Sequence, residues 1–158
     1  MPERSGSRAR YTVAVVADEW SQALRSLIES PSPAVLTTYR KDGSANVSPV
    51  WFRWQDDAFE VVIARGDVKL KHLARDPRCV FLVFEAVPPF RGIEVRGMPE
   101  LVERDVTADR EDIAGRYLGA DGGRRFAAAR TSKPGVLLRL PATEARVWDL
   151  AAILPPSV

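Results

Sequence analysis

The sequence predicts a mainly β domain of the α+β class, in which six or seven antiparallel strands form a barrel with short helices between them. The first observation is a hairpin signal, Asp42-Gly43, between two runs rich in β-forming residues. The second is the apolar run Cys79–Phe84, which predicts a strand buried on both faces. The third is that helical stretches do not alternate regularly with strands, which excludes a βαβ repeat.

Three helices are predicted from apolar periodicity and from the residues that begin and end them. Ala17–Glu29 has Asp18 as its cap and ends before Pro31 and Pro33. Val68–Arg75 has Asp67 as its cap and ends at Asp76-Pro77. Thr107–Leu118 has Thr107 as its cap and ends at glycines 119, 122 and 123, after which a further turn is predicted at Arg124–Arg130.

Seven strands are predicted: Ala34–Tyr39, Ala45–Trp54, Phe59–Ala64, Cys79–Phe84, Gly92–Val102, Gly135–Leu140 and Glu144–Leu150. Pro49 lies inside the second of them. Because proline cannot donate a ladder hydrogen bond, that point is an edge, a bulge or a gap that faces a cofactor. The elements form one domain over residues 17–150, with a flexible basic arm at 1–16 and a tail at 151–158.

Composition excludes several classes of protein. One cysteine and one histidine exclude an internal disulfide framework and a zinc site built from several Cys and His ligands, so no metal site is predicted. The net charge of +2 is too small to indicate nucleic-acid binding. No apolar run is long enough to cross a bilayer, and no long apolar stretch follows the basic start, so we expect a cytoplasmic protein without membrane contact.

A local charge run is the most informative stretch for function. Residues 64–78 carry five cations and two anions, so their net charge of +3 exceeds that of the whole chain. A strand that runs into a helix start offers free backbone N–H groups and the positive end of the helix dipole. Arg65 and Lys69 flank that junction, which is suitable for a phosphate. From charge alone, a solvated basic helix face remains the alternative.

Four motifs in order resemble the pyridoxamine 5'-phosphate oxidase-like family. Thr37–Phe52 resembles its opening hairpin, with Asp-Gly at the turn and Pro-Val-Trp near the end. The other three are Lys69–Leu73 with Asp76–Val80, Arg116–Gly119 and Val147–Asp149. The resemblance spans roughly residues 17–150, and it implies an FMN-binding type of split barrel that pairs as a homodimer, with a flavin or deazaflavin in each of two clefts at the interface.

The resemblance also implies a set of cofactor contacts. The cofactor phosphate is expected at Arg65 and Lys69, beside Ala64, where the family often has a hydroxyl residue, and beside Gly66. The ring is expected along the second strand, and Lys71 is expected to reach the acidic tail of a deazaflavin. Phe90-Arg91-Gly92 is expected to close over the cleft. The implied cofactor-binding residues are Asn46, Val47, Ser48, Pro49, Val50, Ala64, Arg65, Gly66, Lys69, Lys71 and Arg91.

The predicted function is therefore that of an oxidoreductase that uses the deazaflavin coenzyme 420 to transfer hydride to or from a small organic substrate. The basic pair Lys69 and Lys71 and an arginine-rich composition favour deazaflavin. The alternatives are an FMN-dependent oxidase or reductase and a non-catalytic carrier of flavin, deazaflavin or haem. No catalytic side chain is predicted because the cofactor carries such chemistry. His72 is expected on a helix surface, and Cys79 is expected to be buried and inert.

Overall fold

The computed structural model describes residues 12–14 and 22–156. The helices are α1 Gln22–Glu29, α2 Val68–Arg75 and α3 Thr107–Ala128, with a short 3-10 helix at Ala151–Ile153. The strands are β1 Thr12–Ala14, β2 Ala34–Tyr39, β3 Ala45–Val50, β4 Arg53–Gln55, β5 Ala58–Ala64, β6 Cys79–Phe84, β7 Gly92–Gly97, β8 Glu100–Glu103, β9 Gly135–Pro141 and β10 Ala145–Trp148. No helix of the described part is long and apolar enough to span a membrane.

The strands form two antiparallel sheets, and this arrangement confirms the predicted split barrel. One sheet has six strands in the order β1-β10-β7-β6-β2-β3, and the other has four in the order β4-β5-β9-β8. The chain passes from the first sheet to the second at Trp51-Phe52, between β3 and β4. β3 lies at the edge of its sheet and pairs with β2 alone among the described strands.

Two predicted strands are wrong in extent, for one physical reason. Ala45–Trp54 is divided at Trp51-Phe52, and Gly92–Val102 is divided at Met98-Pro99. In both cases the chain changes sheets at the break, whereas a period-2 pattern records only which face is buried. Residues 12–14, within the predicted arm, pair with β10. Asp18 and the start of the first predicted helix lie outside the described residues.

The core lies between the two sheets and is closed by α1. Phe52, Phe59 and Phe81 are completely buried, and their ring centroids lie 4.7–5.5 Å apart. Each such side chain contributes about 1.5–3 kcal/mol when it is fully removed from water. Phe52 immediately follows the crossover between the sheets, so its burial fixes the position of the neighbouring Trp51.

A buried ion cluster anchors the start of α3 to the four-stranded sheet. Arg53 Nε lies 2.7 Å from Glu60 Oε2, and Arg53 Nη2 lies 2.7 Å from Asp109 Oδ1. Asp112 is a third partner of the same guanidinium, at 3.0 Å. Arg139 reaches the other oxygen of Glu60 at 3.2 Å. Because every buried charge here has a partner of opposite sign, the cluster satisfies the condition for ions in a protein interior.

Helix α3 is a hairpin of two arms. Gly119 has φ 76° and ψ 164°, which interrupts the helix and confirms the predicted break there. The arms then pack back to back, since a Cβ at Gly123 would lie only 2.6 Å from the Glu111 carbonyl oxygen and 2.8 Å from Gly115 Cα. Glycines 122 and 123 lie within the second arm rather than ending the helix. The Thr107 cap is also wrong: the cap position is Val106, without a side-chain hydrogen bond.

The first arm of α3 also holds the crossover between the sheets. Arg116 donates to the carbonyl oxygens of Phe52 at 2.6 Å, Ile28 at 3.1 Å and Ser30 at 2.8 Å. The hydroxyl of Tyr117 accepts a hydrogen bond from Phe52 N at 3.3 Å. These bonds tie the end of α1, the crossover and α3 together, and they give the Arg116–Gly119 motif a structural role.

Candidate functional site

A pocket of about 430 Å³ opens where the end of β3 faces β5 and both arms of α3. It contains apolar side chains, an aromatic wall and a group of cations. Its lining residues are Pro49, Val50, Trp51, Val61, Val62, Ala64, Lys69, Arg110, Ile113, Ala114, Phe126, Arg130 and Lys133. None of these carries a carboxylate, an imidazole, a thiol or a hydroxyl group, so the described lining offers no carboxylate or histidine base and no serine-type or cysteine-type nucleophile.

Aromatic rings form one wall of the pocket. Trp51 stacks on Tyr117 with centroids 5.3 Å apart and an interplanar angle of 13°. On its other side it contacts Phe126 at 5.2 Å. The guanidinium carbon of Arg130 lies 3.7 Å from the Phe126 centroid, within cation–π distance. The wall therefore continues from an apolar surface into a positive one.

Four cations, Lys69, Arg110, Arg130 and Lys133, line the pocket, and the pairing of β5 with β9 places Lys133 beside the end of β5. Ala64 pairs with Gly135, and Arg65 N donates to the Pro134 carbonyl oxygen at 3.1 Å. Lys133, just before Pro134, therefore lies beside the end of β5, where Ala64 also lines the pocket. Opposed apolar and positive regions suit a flat ligand that carries an anionic group.

Arg110 is the most buried of these cations, at 7% exposure. Its guanidinium donates to the carbonyl oxygens of Arg130 at 3.2 Å, Pro134 at 3.3 Å and Lys133. Gly135 makes this possible, since a Cβ there would lie 2.8 Å from Arg110 Nη2. Burial first, and then the charge of Arg130, lower the pKa of Arg110, while Asp105 acts in the opposite direction.

Lys69 lies in the first turn of α2, as predicted, but it already has an acidic partner. Asp67 caps the helix by accepting from Lys69 N at 2.9 Å, which confirms the predicted cap. The same carboxylate lies 3.1 Å from Lys69 Nζ. Burial alone would raise the pKa of Asp67, but the hydrogen bonds and charge of Lys69 outweigh it and lower that pKa. Part of the positive charge at this helix start is therefore neutralised within the chain.

The predicted ring-contact residues lie together on the edge strand β3. Asn46 and Ser48 are half-exposed and hydrogen-bond each other at 3.3 Å, while Val47 is 63% exposed. Pro49 and Val50 line the pocket. Pro49 thus lies on a sheet edge, which is one of the three interpretations that its position left open, and it lines a pocket there.

Four other predicted contacts lie outside the pocket lining. Arg65 is half-exposed and pairs with Glu103 at 3.3 Å. Gly66 follows it at φ 92°, a conformation that favours glycine. Lys71 is exposed on α2. Arg91 forms a bidentate pair with Glu85 beside a different pocket, whose lining includes Ser26 and Phe84.

Among the charged and aromatic residues of the pocket, sequence reasoning missed Arg110, Phe126, Arg130 and Lys133. One signal was present, because Arg110 occupies the same predicted helix face as Ile113, Ala114 and Tyr117. An arginine on an apolar face indicates a buried charge with a specific partner or function. No pattern among neighbouring residues indicated that Arg110 would lie beside Arg130 and Lys133, which are twenty or more positions away in the chain.

The predictions for the single histidine, His72, and the single cysteine, Cys79, have opposite outcomes. The prediction that His72 lies on a helix surface is wrong: it is 6% exposed, and its Nδ1 lies 2.9 Å from Thr38 Oγ1. Its ring packs α2 against β2. Cys79 is buried as predicted, and burial raises the pKa of its thiol to about 12. The thiolate needed for reaction is therefore scarce at neutral pH.

A second pocket, of about 610 Å³, lies on the other side of the same strand end. It shares Pro49, Val50 and Trp51 with the first, and its other lining residues are Pro31, Pro33, Ala34, Val35, Phe84 and Tyr117. The end of β3 is therefore reached by ligand-sized cavities on two sides.

The model of the pyridoxamine 5'-phosphate oxidase family matches residues 20–149 of this chain. The chain belongs to that family. Curated protein sequences contain no match to it. The family assignment agrees with the two-sheet barrel and with the order of motifs from Thr37 to Asp149.

Solved structures show the same fold at low identity. The conserved hypothetical protein Rv2991 from Mycobacterium tuberculosis is 23% identical, with a TM-score of 0.71 and 94% of each chain covered. An F420 reductase is 25% identical, with a TM-score of 0.63 over 77% of this chain and 94% of that one. The FAD and heme binding protein from Mycobacterium smegmatis is 15% identical, with a TM-score of 0.62 over 86% and 72%.

Proposed function

We propose that this member of the pyridoxamine 5'-phosphate oxidase family is an oxidoreductase that binds the deazaflavin coenzyme 420 in the pocket between β3, β5 and α3. The observation that carries the proposal is an aromatic wall beside four cations, in a pocket lining that contains no acidic residue. A planar heterocycle suits the first and an anionic group suits the second. The similarity to an F420 reductase supports the choice of deazaflavin.

The residues of the pocket have distinct proposed roles. Pro49 and Val50 bring the backbone of the edge strand to the ring edge, and Trp51 offers a flat face beside it. Lys69, with Arg65 outside the lining, is the phosphate contact that family resemblance implies. The bound cofactor supplies hydride transfer. The chain's own side chains bind it, orient it and keep water from its apolar face.

Flavin mononucleotide is the second candidate cofactor, because it also combines a flat ring with a phosphate and the lining does not exclude it. A non-catalytic carrier is the candidate from another class. The homodimer remains a prediction from the family resemblance. It receives support from the exposed edge of β3, where Val47 and Trp51 leave apolar surface uncovered at 63% and 37% exposure.

A variant that fills the pocket tests the assignment. Val62 is half-buried, lines the pocket and lies on a strand, so Val62→Trp occupies the cavity with a good β-former. Titration of the full-length protein by fluorescence quenching should show tighter binding of coenzyme 420 than of flavin mononucleotide. Val62→Trp should weaken both by about fivefold or more, since overpacking costs about 1–3 kcal/mol.

Leu82→Trp is the matched control, because Leu82 is also half-buried on a strand but does not line the pocket. Its affinities should equal those of the wild type, with circular dichroism confirming that both variants fold. Equal losses in both variants, or no binding of either cofactor to the wild type, would overturn the proposed site. Oxidation of the reduced cofactor only after an organic acceptor is added distinguishes an enzyme from a carrier.

A further inference from the structure

Three of the four cations in the pocket lack an acidic partner. Within residues 12–14 and 22–156, no carboxylate forms an ion pair with Arg110, Arg130 or Lys133. Arg110 is bonded to backbone carbonyls, and Arg130 is bonded to the Phe126 carbonyl at 3.2 Å and stacked on its ring. Lys69, by contrast, is neutralised by Asp67.

The proximity of the Arg130 guanidinium disfavours the charged form of the buried Arg110 when no counter-ion is present. A buried arginine is stabilised by partners of opposite charge, whereas Arg110 has a second guanidinium nearby that disfavours its charged form. Asp105 is the acid whose charge favours Arg110, but its carboxylate is bound by Thr107 through the backbone N–H at 3.0 Å and the hydroxyl at 2.7 Å.

Arg116 shows that a purely structural arginine does not require such a group. It is also partly buried on α3 and also donates to three backbone carbonyls. The charges of its neighbours Tyr117 and Asp112 both favour its charged form. Carbonyl bonding therefore explains why Arg110 is tolerated, but it leaves the convergence of Arg130 and Lys133 on the same cavity unexplained.

We propose that Arg110, Arg130 and Lys133 form a subsite for an anionic oxygen group, a carboxylate or a phosphate, and that they rather than Arg65 and Lys69 hold the main negative charge of the ligand. The inference rests on the proposed function in one respect, that this pocket is the ligand site. The anionic group has two sources, the acidic part of the cofactor or an anionic substrate.

Inorganic phosphate is the first probe, titrated by calorimetry into the full-length, cofactor-free protein at constant ionic strength. The double variant Arg130→Met/Lys133→Met should weaken phosphate binding by about tenfold or more, because charge-assisted hydrogen bonds are lost. This variant retains Arg110 and its carbonyl bonds, so the loop after α3 keeps its anchor. Arg110→Met is the second variant and should show the same loss if it folds.

Each substitution has a matched control. Arg125 is exposed on the same arm as Phe126, and Lys41 is an exposed lysine in the β2–β3 turn, and neither lines the pocket. Arg125→Met/Lys41→Met removes the same net charge and should change phosphate affinity by less than about twofold. A loss equal to that of the Arg130/Lys133 variant would show a diffuse field and overturn the subsite.

Lys69→Met tests which of two locations holds the anion, the subsite of Arg110, Arg130 and Lys133 or the start of α2. It should keep most of the phosphate binding that the Arg130/Lys133 variant loses. If Lys69→Met alone loses binding, the anion is held at the helix start, as the sequence resemblance implies, and the subsite is overturned. If phosphate binds as proposed but neither coenzyme 420 nor flavin mononucleotide binds, the proposed function fails while the subsite stands.

A second titration identifies the source of the anion. When coenzyme 420 fills the subsite with its own acidic groups, the loaded protein should no longer bind phosphate, and the Arg130/Lys133 variant should lose affinity for it. The same variant should bind 8-hydroxy-5-deazariboflavin, which lacks those groups, as the wild type does. Continued phosphate binding by the loaded protein assigns the subsite to an anionic substrate.

Discussion

Asp109 and Arg110 are neighbours on α3, yet they belong to two regions with opposite charge balance. Asp109 enters the cluster of Arg53, Glu60 and Asp112, in which every buried charge has a partner of opposite sign. Arg110 enters a pocket whose described lining has four cations and no acid. A balanced cluster explains how the helix is held, whereas an unbalanced one indicates a place for a ligand. Charge density alone does not distinguish the two.

The largest expected effect comes from breaking the balanced cluster. Arg53→Met leaves Glu60 and Asp109 buried, at 4% and 5% exposure, with only Arg139 and Arg104 as their remaining partners. Removing one side of a buried ion pair costs about 3–5 kcal/mol when the other charge is left unpaired, so the free energy of unfolding should fall by up to about that amount. Urea denaturation measures this change. The dependence of the free energy of unfolding on urea concentration should be the same for the wild type and the variant.

Arg124→Met is the control for that experiment. Arg124 pairs with Asp121 on the surface, where both side chains are more than half exposed. Its loss should change the free energy of unfolding by less than about 0.5 kcal/mol. If Arg53→Met is equally mild, the cluster does not anchor α3, and its contrast with the pocket no longer separates structure from binding.

The sequence predicted features that depend on neighbouring residues and missed those made by distant ones. The Asp42-Gly43 turn, the Asp67 cap and the burial of Cys79 each follow from a few adjacent positions. The pocket instead requires Arg110 and Lys133 to meet through a reversal of α3 and the pairing of β5 with β9. No periodicity encodes such a meeting.

The predicted phosphate contact shows that residues close together in the sequence can also have side chains that lie apart. Sequence proximity placed Arg65 and Lys69 at one strand-to-helix junction, and the junction is present. Their side chains nevertheless diverge, because Arg65 reaches Glu103 on β8 whereas Lys69 lines the pocket beside Asp67. The partner Glu103 comes from a strand of the second sheet, and the local charge run contains no information about it.

An intermediate effect is expected when Lys69 loses its acidic partner and, like Arg110, Arg130 and Lys133, has no ion pair among the described residues. Asp67→Asn removes the carboxylate 3.1 Å from Lys69 Nζ but retains a good helix cap. Affinity for flavin mononucleotide should rise about threefold to fivefold, since the partly exposed pair corresponds to up to about 1 kcal/mol. Fluorescence titration measures the rise, and riboflavin, which lacks the phosphate, should show none.

Weaker binding of flavin mononucleotide by Asp67→Asn would mean that the carboxylate orients Lys69 rather than neutralises it. In that case the Lys69–Asp67 pair has a structural role, as the ion pairs of the Arg53 cluster do. The thermal midpoint, recorded alongside, separates this result from a loss of the helix cap.

The smallest effect is expected at Lys71, which is exposed and outside the described pocket lining. The sequence resemblance predicts that Lys71→Ala weakens coenzyme 420 more than flavin mononucleotide. Exposure limits the difference to a few-fold, because exposed charge pairs contribute about 0.2–1 kcal/mol. Identical changes for both cofactors would remove Lys71 from the tail contact and leave the positive charge of the pocket to the other cations.

Because α3 reverses at Gly119, residues far apart along the helix meet at one cavity. In a straight helix, Arg110 and Arg130 would lie about 30 Å apart, whereas Arg110 Nη1 is 3.2 Å from the Arg130 carbonyl oxygen. A single glycine turn therefore brings residues twenty positions apart in the chain to one cavity. Residues gained or lost around that turn would change the length of the two arms while leaving every strand pairing of the barrel intact.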